Sequence, residues 1–405
     1  MNILLFSLVF NPDNVSTAQI MAGLAEDLQQ RGHTLTVITT TPHFHPDASL
    51  AAAQPLRPWI GRLIQRSELS GIPVYHIWVP NKSVWPPLRV LSWLWFHFFS
   101  VVLALCLRFR PRVILACSPP ITIGLAARFA AACLRADYIY NVQELYPDIA
   151  VNLGYVKNPR LIACLSAVER AVYSKALAVT SITEAMCAKI RTRTDPAKVV
   201  FIPNFVELPP PEALPPDVPH ADFVITYAGN MGTPQNLGLL IEAAPFLKGV
   251  RIRLIGDGGD KARLLALAQR LGVLEKSVFF EPYRPLSDMP AIYAESDLFY
   301  VAQMPEACSD GIPSKIYRIL GHRKPLLIAT AETADLAQFV RRMEGGVVVS
   351  DFSAQTLAHT VESLRTDPAR LSRMAAQGYA NVSRYYARAA VTEQYDALLR
   401  ARVRL

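Results

Sequence analysis

The residue types in this chain that are best suited to chemistry lie close together in residues 303–329. An apolar run typical of a buried strand is followed by a loop with two acids, Glu306 and Asp310, and then by a helix that should start at Pro-Ser-Lys. Free N–H groups at a helix start favour an anion, and Lys315 would add a full positive charge. With carboxylates beside these groups, the stretch predicts a site for an anionic ligand that also carries hydroxyls, such as a sugar nucleotide. A solvated loop with a surface lysine fits the same residues equally well.

A second acidic loop, residues 143–148, follows another apolar run at 138–142. Such a run is typical of a buried strand, and ligands of parallel sheets bind beyond the carboxyl ends of the strands. Glu144 is therefore a candidate contact to a bound molecule. An acid at this position could equally cap a helix that follows it.

Other residues with chemical potential do not form recognisable sites. His43 and His45 could bind a metal together, but no third ligand is evident, so no metal is expected. The chain has no CxxC pair, and its scattered cysteines are interpreted as reduced residues, mostly in apolar runs. They are Cys106, Cys117, Cys133, Cys164, Cys187 and Cys308. No zinc-finger pattern, basic helix or aromatic RNA-binding signature is present, so nucleic acid is not expected as a partner.

Composition limits the class of protein. With 405 residues the chain can form two or three domains of ordinary size. Half of it is apolar and only 18% is charged, which excludes general disorder. The net charge of +8 suits phosphorylated substrates or an anionic bilayer surface.

Predicted strands and helices alternate along most of the chain. An apolar run at 2–9, an amphipathic helix at 18–30 and an apolar run at 35–40 form a βαβ unit. This pattern predicts an α/β fold in which a parallel sheet is covered on both faces. Residues 41–70 lack such a pattern and are predicted to be an irregular excursion. The first loop has no GxGxxG, so dinucleotide binding is unsupported.

A proline-rich segment divides the chain. Residues 207–220 contain six prolines and no apolar periodicity, which indicates a semi-rigid linker. The strand–helix alternation begins again after it. The predicted organisation is therefore two Rossmann-like, doubly wound parallel-sheet domains, at 1–206 and 221–385, that face a central cleft. A final helix at 386–405 is expected to return to the first domain.

Residues 90–107 form an uncharged apolar run between Arg89 and Arg108. Its length reaches the lower limit for a membrane-spanning helix. A predicted strand follows after a few residues, however, and a crossover helix cannot enter the lipid and still complete its βαβ unit. The run therefore favours a helix that packs partly on the sheet and partly against a bilayer surface, with a true span as the alternative. Because the amino terminus lacks signal-peptide features, the protein is expected in the cytoplasm, peripheral to the inner face of the cell membrane.

Several short motifs, taken in order, resemble one enzyme family. They are RGHTLTVITT, TPHFHP, SPP at 118–120, NVQELYPDIAVNLG, IPN at 202–204, YAGNMG, LIGDGG, and IPSK at 312–315 followed by KPLL. Each motif is weak by itself, but together they cover essentially the whole chain and resemble the retaining glycosyltransferases of family 4, which have the GT-B fold. The subgroup that they resemble contains the colanic-acid-type fucosyl- and fucosaminyltransferases of bacterial polysaccharide biosynthesis.

The resemblance also shows departures from the family pattern. The family holds its donor with two glutamates eight residues apart, and here these positions are Asp310, on a shorter arm, and Arg318, with the opposite charge. The phosphate-binding arginine and lysine of the family are replaced by Asn230 and Asn236. Lys315 is therefore expected to contact the phosphates in their place.

The resemblance implies a set of site residues. Glu144, Asp310 and Lys315 are expected to act on the reacting sugar and the diphosphate. Donor contacts are expected from Asn14, Gly229, Asn230, Gly232, Asp257, Gly258, Tyr283, Arg284, Gly311, Ser314 and Arg318. Tyr283 and Arg284 would border the base, and Asp257 is interpreted as mainly structural. Neither a metal nor another cofactor is expected.

The function implied is transfer of a hexose-type sugar from a nucleotide-sugar donor to a lipid-linked or oligosaccharide acceptor in cell-surface polysaccharide assembly. One alternative is a nucleotide-sugar epimerase of GT-B fold, which would need a fuller set of acid and base residues. Another is a non-catalytic sugar-nucleotide-binding or scaffold protein of a polysaccharide complex, which Arg318 and the missing phosphate cations favour. The sequence does not specify the base, the sugar or the acceptor.

Overall fold

The computed structural model describes residues 1–44, 48–79, 86–152, 156–214, 216–304 and 312–403. These residues form two compact units. The first comprises Met1–Phe205 and Arg388–Leu405, and the second is Val206–Ala387. Each unit is built around one sheet that has hydrophobic clusters on both faces.

The sheet of the first unit has nine strands within the described residues. They are β1 (Asn2–Ser7), β2 (Thr34–Thr40), β3 (Arg57–Ile60), β4 (Ile64–Leu69), β5 (Ile72–Ile77), β6 (Val113–Cys117), β7 (Asp137–Val142), β8 (Ala178–Ser181) and β9 (Val199–Phe201). Their order across the sheet is β3-β4-β5-β2-β1-β6-β7-β8-β9. Every pair from β5-β2 to β8-β9 is parallel, as the βαβ pattern predicted.

The prediction of an irregular excursion over residues 41–70 is wrong. A short helix, α2 (Ala48–Ala53), precedes β3 and β4, which pair antiparallel with each other, and β4 pairs antiparallel with β5. The strands escaped prediction because they lie at the edge of the sheet. In β4 only Ile64 and Ser67 are buried, so the apolar signal of this strand is weak.

Helices cover both faces of the first sheet. They are α1 (Ser16–Gln30), α3 (Pro86–Cys106), α4 (Ile123–Leu134), α5 (Asp148–Asn152), α6 (Pro159–Lys175) and α7 (Glu184–Arg191). Because side chains alternate along a strand, Leu4 and Phe6 of β1 pack with α3 and α4, whereas Ile3 and Leu5 pack with α1. None of the helices in the described part of the chain combines the length and the apolarity needed to cross a membrane.

The second unit has a six-stranded sheet within the described residues. Its strands are β10 (Phe223–Ala228), β11 (Val250–Ile255), β12 (Val278–Glu281), β13 (Leu298–Ala302), β14 (Leu326–Ala329) and β15 (Gly346–Val349). All pairs are parallel in the order β12-β11-β10-β13-β14-β15. Its helices are α8 (Leu237–Ala243), α9 (Lys261–Arg270), α10 (Met289–Ala294), α11 (Lys315–Gly321), α12 (Asp335–Met343), α13 (Ala354–Arg365) and α14 (Pro368–Tyr386). The prediction of two parallel-sheet α/β domains is therefore confirmed.

The proline-rich residues 207–220 lie along the second unit. Leu208 packs against one of its hydrophobic clusters, and Val218 N donates to Ala294 O at 3.0 Å. Lys324 Nζ donates to Asp217 Oδ1 at 2.5 Å. These contacts hold the segment against other parts of the second unit.

The last helix, α15 (Arg388–Arg402), packs in the first unit. Val391 and Leu399 join the hydrophobic cluster that contains α1. Arg388 Nη2 donates to Asp27 Oδ1 at 2.7 Å and to Glu26 Oε2 at 3.0 Å. The last helix of the chain therefore packs on one face of the first sheet, beside the first helix.

Candidate active site

Two turns meet at the carboxyl edge of the second sheet. The first follows β10 and the second follows β11, and backbone hydrogen bonds join them directly. Gly229 N donates to Ile255 O at 2.9 Å, and Met231 N donates to Asp257 O at 2.7 Å. The structure thus brings together the turns that contain five of the residues expected in the site: Gly229, Asn230, Gly232, Asp257 and Gly258.

Glycine is required where the two turns touch. Gly256 has a φ of 138°, and a Cβ at this position would overlap Gly229 O. A Cβ on Gly258 would lie 2.5 Å from Met231 O. This edge of the sheet is therefore formed by closely packed backbone, which allows a ligand to approach the main chain.

We expect Gly256→Ala to destabilise the protein by about 2–4 kcal/mol, because it combines a disfavoured φ with a backbone clash. The matched control is Gly249→Ala. Gly249 also has a positive φ, of 65°, but a Cβ there would meet no atom within 4 Å. Thermal unfolding of both variants would check the prediction, and equal losses would show that the contact between the turns is unimportant.

Lys315 opens α11, and its ammonium lies against the turn that follows β10. Lys315 Nζ is 4.0 Å from the centre of the Tyr227 ring and 3.4 Å from Ala228 O. Within the described part of the chain no carboxylate pairs with this ammonium, and burial lowers the pKa of Lys315 to about 8. A partly buried cation without a counter-ion favours binding of an anion, which would restore the lost solvation.

Tyr227 contacts both the turn and the lysine, and it was not predicted from the sequence. Its hydroxyl donates to Asn230 O at 2.5 Å, while its ring face lies against the Lys315 ammonium. Burial raises the pKa of Tyr227, so the hydroxyl stays a donor at neutral pH. A tyrosine at the end of a buried strand must find a hydrogen-bond partner for its hydroxyl, and this requirement was the available signal.

Tyr227→Phe should keep the ring beneath the lysine and remove only the hydrogen bond to the turn. We expect the KM for the donor to rise roughly two- to tenfold, as for one lost hydrogen bond, with little change in kcat. Steady-state kinetics would check this split. The contrast variant is Tyr227→Leu, which also removes the ring and should lower kcat as well. Identical kinetics for Tyr227→Phe and the parent would exclude a positioning role for the hydroxyl.

Asp257 mainly shapes its own turn. Its carboxylate accepts a hydrogen bond from Gly258 N at 2.8 Å and lies 4.0 Å from Lys261 Nζ. Lys261 Nζ also donates to Gly256 O at 3.1 Å. These local contacts agree with the structural role that the sequence analysis gave to Asp257.

Tyr283 and Arg284 follow β12, which lies two strands from β10 at the same sheet edge. The Tyr283 side chain is 71% exposed. Arg284 Nη1 lies 3.8 Å from Asp288 Oδ2, at the surface. Both side chains are thus accessible to a ligand at this edge but have no structural role in its core.

Ser314 and Arg318 flank Lys315. Ser314 precedes α11, and its side chain makes no capping hydrogen bond. Arg318 is exposed one turn later, and no acidic side chain among the described residues pairs with it. The other expected residues of this stretch, Glu306, Asp310 and Gly311, as well as Cys308, lie outside the described residues.

In the first unit, Glu144 follows β7 at the carboxyl edge of the sheet. Its carboxylate is half-buried and has no hydrogen-bond or ionic partner among the described residues, and burial raises its pKa. It caps no helix, because α5 begins only at Asp148. A carboxylate that is partly desolvated and has no partner to stabilise its charge is typical of functional sites.

The other acid of the loop, Asp148, has a structural role. Arg193 Nη2 donates to Asp148 Oδ2 at 2.6 Å, and Arg193 Nη1 donates to the buried Glu169 at 2.9 Å. Tyr173 donates to the same glutamate at 3.0 Å. The network ties the loop to α6 and to the residues after α7, and within the described part of the chain it makes no contact with Glu144.

The amides of Asn141 and Gln143 are also engaged internally. Asn141 Nδ2 donates to Tyr395 Oη at 2.8 Å, and Gln143 exchanges hydrogen bonds with Asn204 at 2.7 and 3.1 Å. Gln143 N donates to Ser118 Oγ at 3.0 Å. The first polar side chains of the NVQE motif thus order the sheet edge, whereas Glu144 has no partner among the residues that the structure describes.

The loop after β1 is tied to the loop after β2. The buried Asp13 carboxylate accepts hydrogen bonds from His43 N at 3.1 Å and from Phe44 N at 3.0 Å. Asn14 is exposed, and its Oδ1 accepts from Gln19 Nε2 at 2.7 Å. Asn14 and Glu144 therefore occupy the same edge of the first sheet, at the ends of strands separated by β6.

The described residues contain no group of three His, Cys, Asp or Glu side chains that could hold a metal ion. His43 Nδ1 lies 3.1 Å from Thr40 Oγ1 and 3.0 Å from Thr41 O. His45, which could have completed a histidine pair, lies outside the described residues.

Comparison with known families assigns both halves of the chain. Residues 17–204 match the family described as glycosyl transferase 4-like domain, and residues 222–367 match glycosyl transferases group 1. The chain belongs to the group 1 glycosyltransferases of GT-B fold. The family resemblance seen in the sequence motifs is thereby confirmed, and the two matches coincide with the two sheets of this glycosyltransferase.

Individual relatives are distant. The glycosyltransferase is 24% identical over 376 residues to the colanic acid biosynthesis glycosyl transferase WcaI of Escherichia coli K12, covering 88% of this chain and 90% of that protein. Among solved structures, Anabaena HepE in complex with UDP gives a TM-score of 0.67 at 16% identity, covering 99% of this chain and 100% of HepE. WaaG, a glycosyltransferase involved in lipopolysaccharide biosynthesis, gives a TM-score of 0.60 at 14% identity, covering 98% and 99% of the two chains. At these identities the structures show a shared fold.

Proposed function

We propose that this glycosyltransferase moves a hexose-type sugar from a nucleoside diphosphate donor to a lipid-linked or oligosaccharide acceptor in cell-surface polysaccharide assembly. The observation that carries the proposal is the Lys315 ammonium, which is partly buried and lacks an ionic partner among the described residues. HepE, which has the same fold, has been crystallised with UDP and with UDP-glucose. WcaI and WaaG act in polysaccharide and lipopolysaccharide synthesis by their names, which supports the acceptor class.

In this proposal the diphosphate of the donor lies against Lys315 and the turn after β10. The bond between the anomeric carbon and the diphosphate oxygen breaks, and the acceptor hydroxyl attacks from the same face, so that configuration is retained. The acceptor proton leaves with the diphosphate. Lys315 stabilises the charge that develops on the leaving group, and this stabilisation grows toward the transition state.

The remaining expected residues act on other parts of the donor. Asp310 orients sugar hydroxyls, and Glu144 contacts a hydroxyl of the donor or acceptor sugar. Tyr283 and Arg284 border the base, while Gly229, Asn230, Gly232, Gly258, Gly311 and Ser314 supply backbone or short polar contacts. Asn14 supplies a donor contact from the first loop of the first unit. Arg318 stands where the family has the second of its two donor-binding glutamates, so the part of the donor that this glutamate holds is contacted by other groups.

Transfer is proposed to be independent of metal ions, because a lysine supplies the positive charge beside the diphosphate. Purified protein incubated with UDP-, GDP- and dTDP-sugars should release one nucleoside diphosphate, faster with a saccharide acceptor. Addition of EDTA should leave this rate unchanged. A rate that falls with EDTA and recovers with Mg²⁺ would contradict the metal-independent form of the proposal.

A non-catalytic role stays the competing proposal, since Arg318 reverses the charge of a family donor contact. The same donor panel separates the two proposals when calorimetry accompanies the rate measurements. Tight nucleotide binding without hydrolysis, epimerisation or transfer of any donor would favour a scaffold protein.

A further inference from the structure

One side of α3 is exposed and apolar along nearly its whole length. Its residues recur every three or four positions and therefore lie on one side of the helix. They are Leu91, Leu94, Trp95, Phe98, Val102 and Leu105, each 39–63% exposed. The opposite side, with Phe96, Ser100 and Leu103, is buried. At 1.5 Å per residue, the exposed strip is roughly 20 Å long.

The neighbouring helix α4 extends this strip. Its Ile123, Ala127 and Ala130 share a hydrophobic cluster with α3, so both helices pack on the same face of the sheet. On its outer side Phe129 is 59% exposed and Leu125 is 36% exposed. Single exposed apolar residues are ordinary, but a continuous apolar face over two helices marks an interaction surface. We call it the α3–α4 face.

The stretch of sequence that forms the α3–α4 face contains only positive formal charges. No Asp or Glu occurs between residues 69 and 136, although acidic residues make up 33 of the 405, so several would be expected in such a stretch. The basic residues of the stretch are Lys82, Arg89, Arg108, Arg110, Arg112, Arg128 and Arg135. Arg108, Arg110 and Arg112 directly follow the carboxyl end of α3, and Arg135 follows that of α4.

We propose that the α3–α4 face docks on a bilayer surface rich in anionic phospholipids. An apolar strip lying in the plane of the interface, with arginines beside it, gains both from burial among acyl chains and from attraction to lipid phosphates. Trp95 is 41% exposed in this strip, and its Nε1 donates to Trp78 O at 3.1 Å, so that the side chain presents an apolar ring while its polar group is satisfied. A second copy of this chain is disfavoured as the occupant, because pairing two such faces would bring their arginines together.

Sedimentation with vesicles tests the proposal on the full-length parent. The parent should pellet with vesicles of equimolar phosphatidylcholine and phosphatidylglycerol, and far less with phosphatidylcholine alone. Phe98→Ser combined with Phe129→Ser should weaken the partition coefficient about tenfold or more. Arg108→Gln combined with Arg112→Gln should weaken it by a similar factor, and only for the anionic vesicles.

The matched control is Phe246→Ser, because Phe246 is 57% exposed but lies in the second unit. This variant should bind vesicles like the parent, and thermal unfolding should show that all variants are folded. Equal binding to both vesicle types, or full binding by the double phenylalanine variant, would overturn the proposal. So would a parent dimer, seen by light scattering, that the phenylalanine substitutions convert to a monomer. The assay needs no donor, so its outcome is independent of the proposed transfer reaction.

Discussion

Replacement of Lys315 by methionine is expected to lower kcat/KM by roughly one to two orders of magnitude, as for a charged hydrogen bond lost in the transition state. Thermal stability should be unchanged or slightly higher. Burial lowers the pKa of this lysine to about 8, so the charged form costs stability at neutral pH, and this cost offsets the lost contact with Tyr227. We expect the loss of affinity to appear in calorimetric titration with nucleoside diphosphate and the loss of kcat/KM in steady-state kinetics. Thermal unfolding would check the prediction for stability.

The charge-matched control is Lys248→Met. Lys248 is exposed two residues before β11, at the opposite edge of the same sheet, so its loss should change neither binding nor rate.

The pH dependence of diphosphate binding has a defined sign. Diphosphate affinity of the parent should fall as pH rises through about 8, because Lys315 loses its proton, whereas Lys315→Met should lack this step. Equal diphosphate affinity of parent and variant at pH 7 would remove Lys315 from the donor site.

Glu144→Gln is expected to lower turnover about tenfold to a hundredfold, because a carboxylate that binds a sugar hydroxyl is replaced by a weaker, neutral acceptor. Glu144→Gln should raise the free energy of unfolding at neutral pH, whereas loss of an acid with a structural role would lower it. Burial raises the pKa of Glu144, so the ionised form costs folding free energy at neutral pH. The variant should therefore be as stable as the parent below the ordinary pKa of glutamate, and more stable as pH rises above the raised value. Thermal unfolding across this range, beside kinetics, is the measurement.

Asp148→Asn provides the contrast in the same loop. It weakens the pair with Arg193, at 2.6 Å, and should lower the unfolding temperature at neutral pH. If Glu144→Gln also lowered stability and left turnover intact, Glu144 would have a structural role like that of its neighbour.

Much of the fold followed from periodicity because the central strands are largely buried. The segments that form β10 and β13 are mostly apolar, and each is followed by glycine or by a polar loop. The exceptions are marginal elements. β4 lies next to the edge strand β3 and has few buried residues, and the hairpin of these two strands depends on pairing rather than on local pattern.

The site was predictable only in part. The sequence indicates which residues lie at the carboxyl edge of a sheet, but it does not indicate which side chains contact each other there. Gly229, Asp257 and Lys315 lie at one edge of the second sheet, because they follow β10, β11 and β13, which are neighbours in that sheet. No local pattern could show that Tyr227 would lie beneath Lys315, because this contact depends on how α11 packs against β10. Likewise, Glu144 and Asp148 look equivalent in the sequence, and only Arg193, 45 residues further on, distinguishes them.

Helix α15 has a consequence for the order of events during synthesis. It completes the core of the first unit, where Asn141 and Tyr395 are joined by a hydrogen bond across 254 residues. The second unit, Val206–Ala387, is continuous and is synthesised whole before α15 is made. One face of the first-made sheet, on which α1 packs, therefore stays incompletely covered until α15 is added, and an exposed apolar surface of this kind is a target for chaperones. Limited proteolysis of ribosome-bound chains should find residues 206–387 protected earlier than residues 1–205.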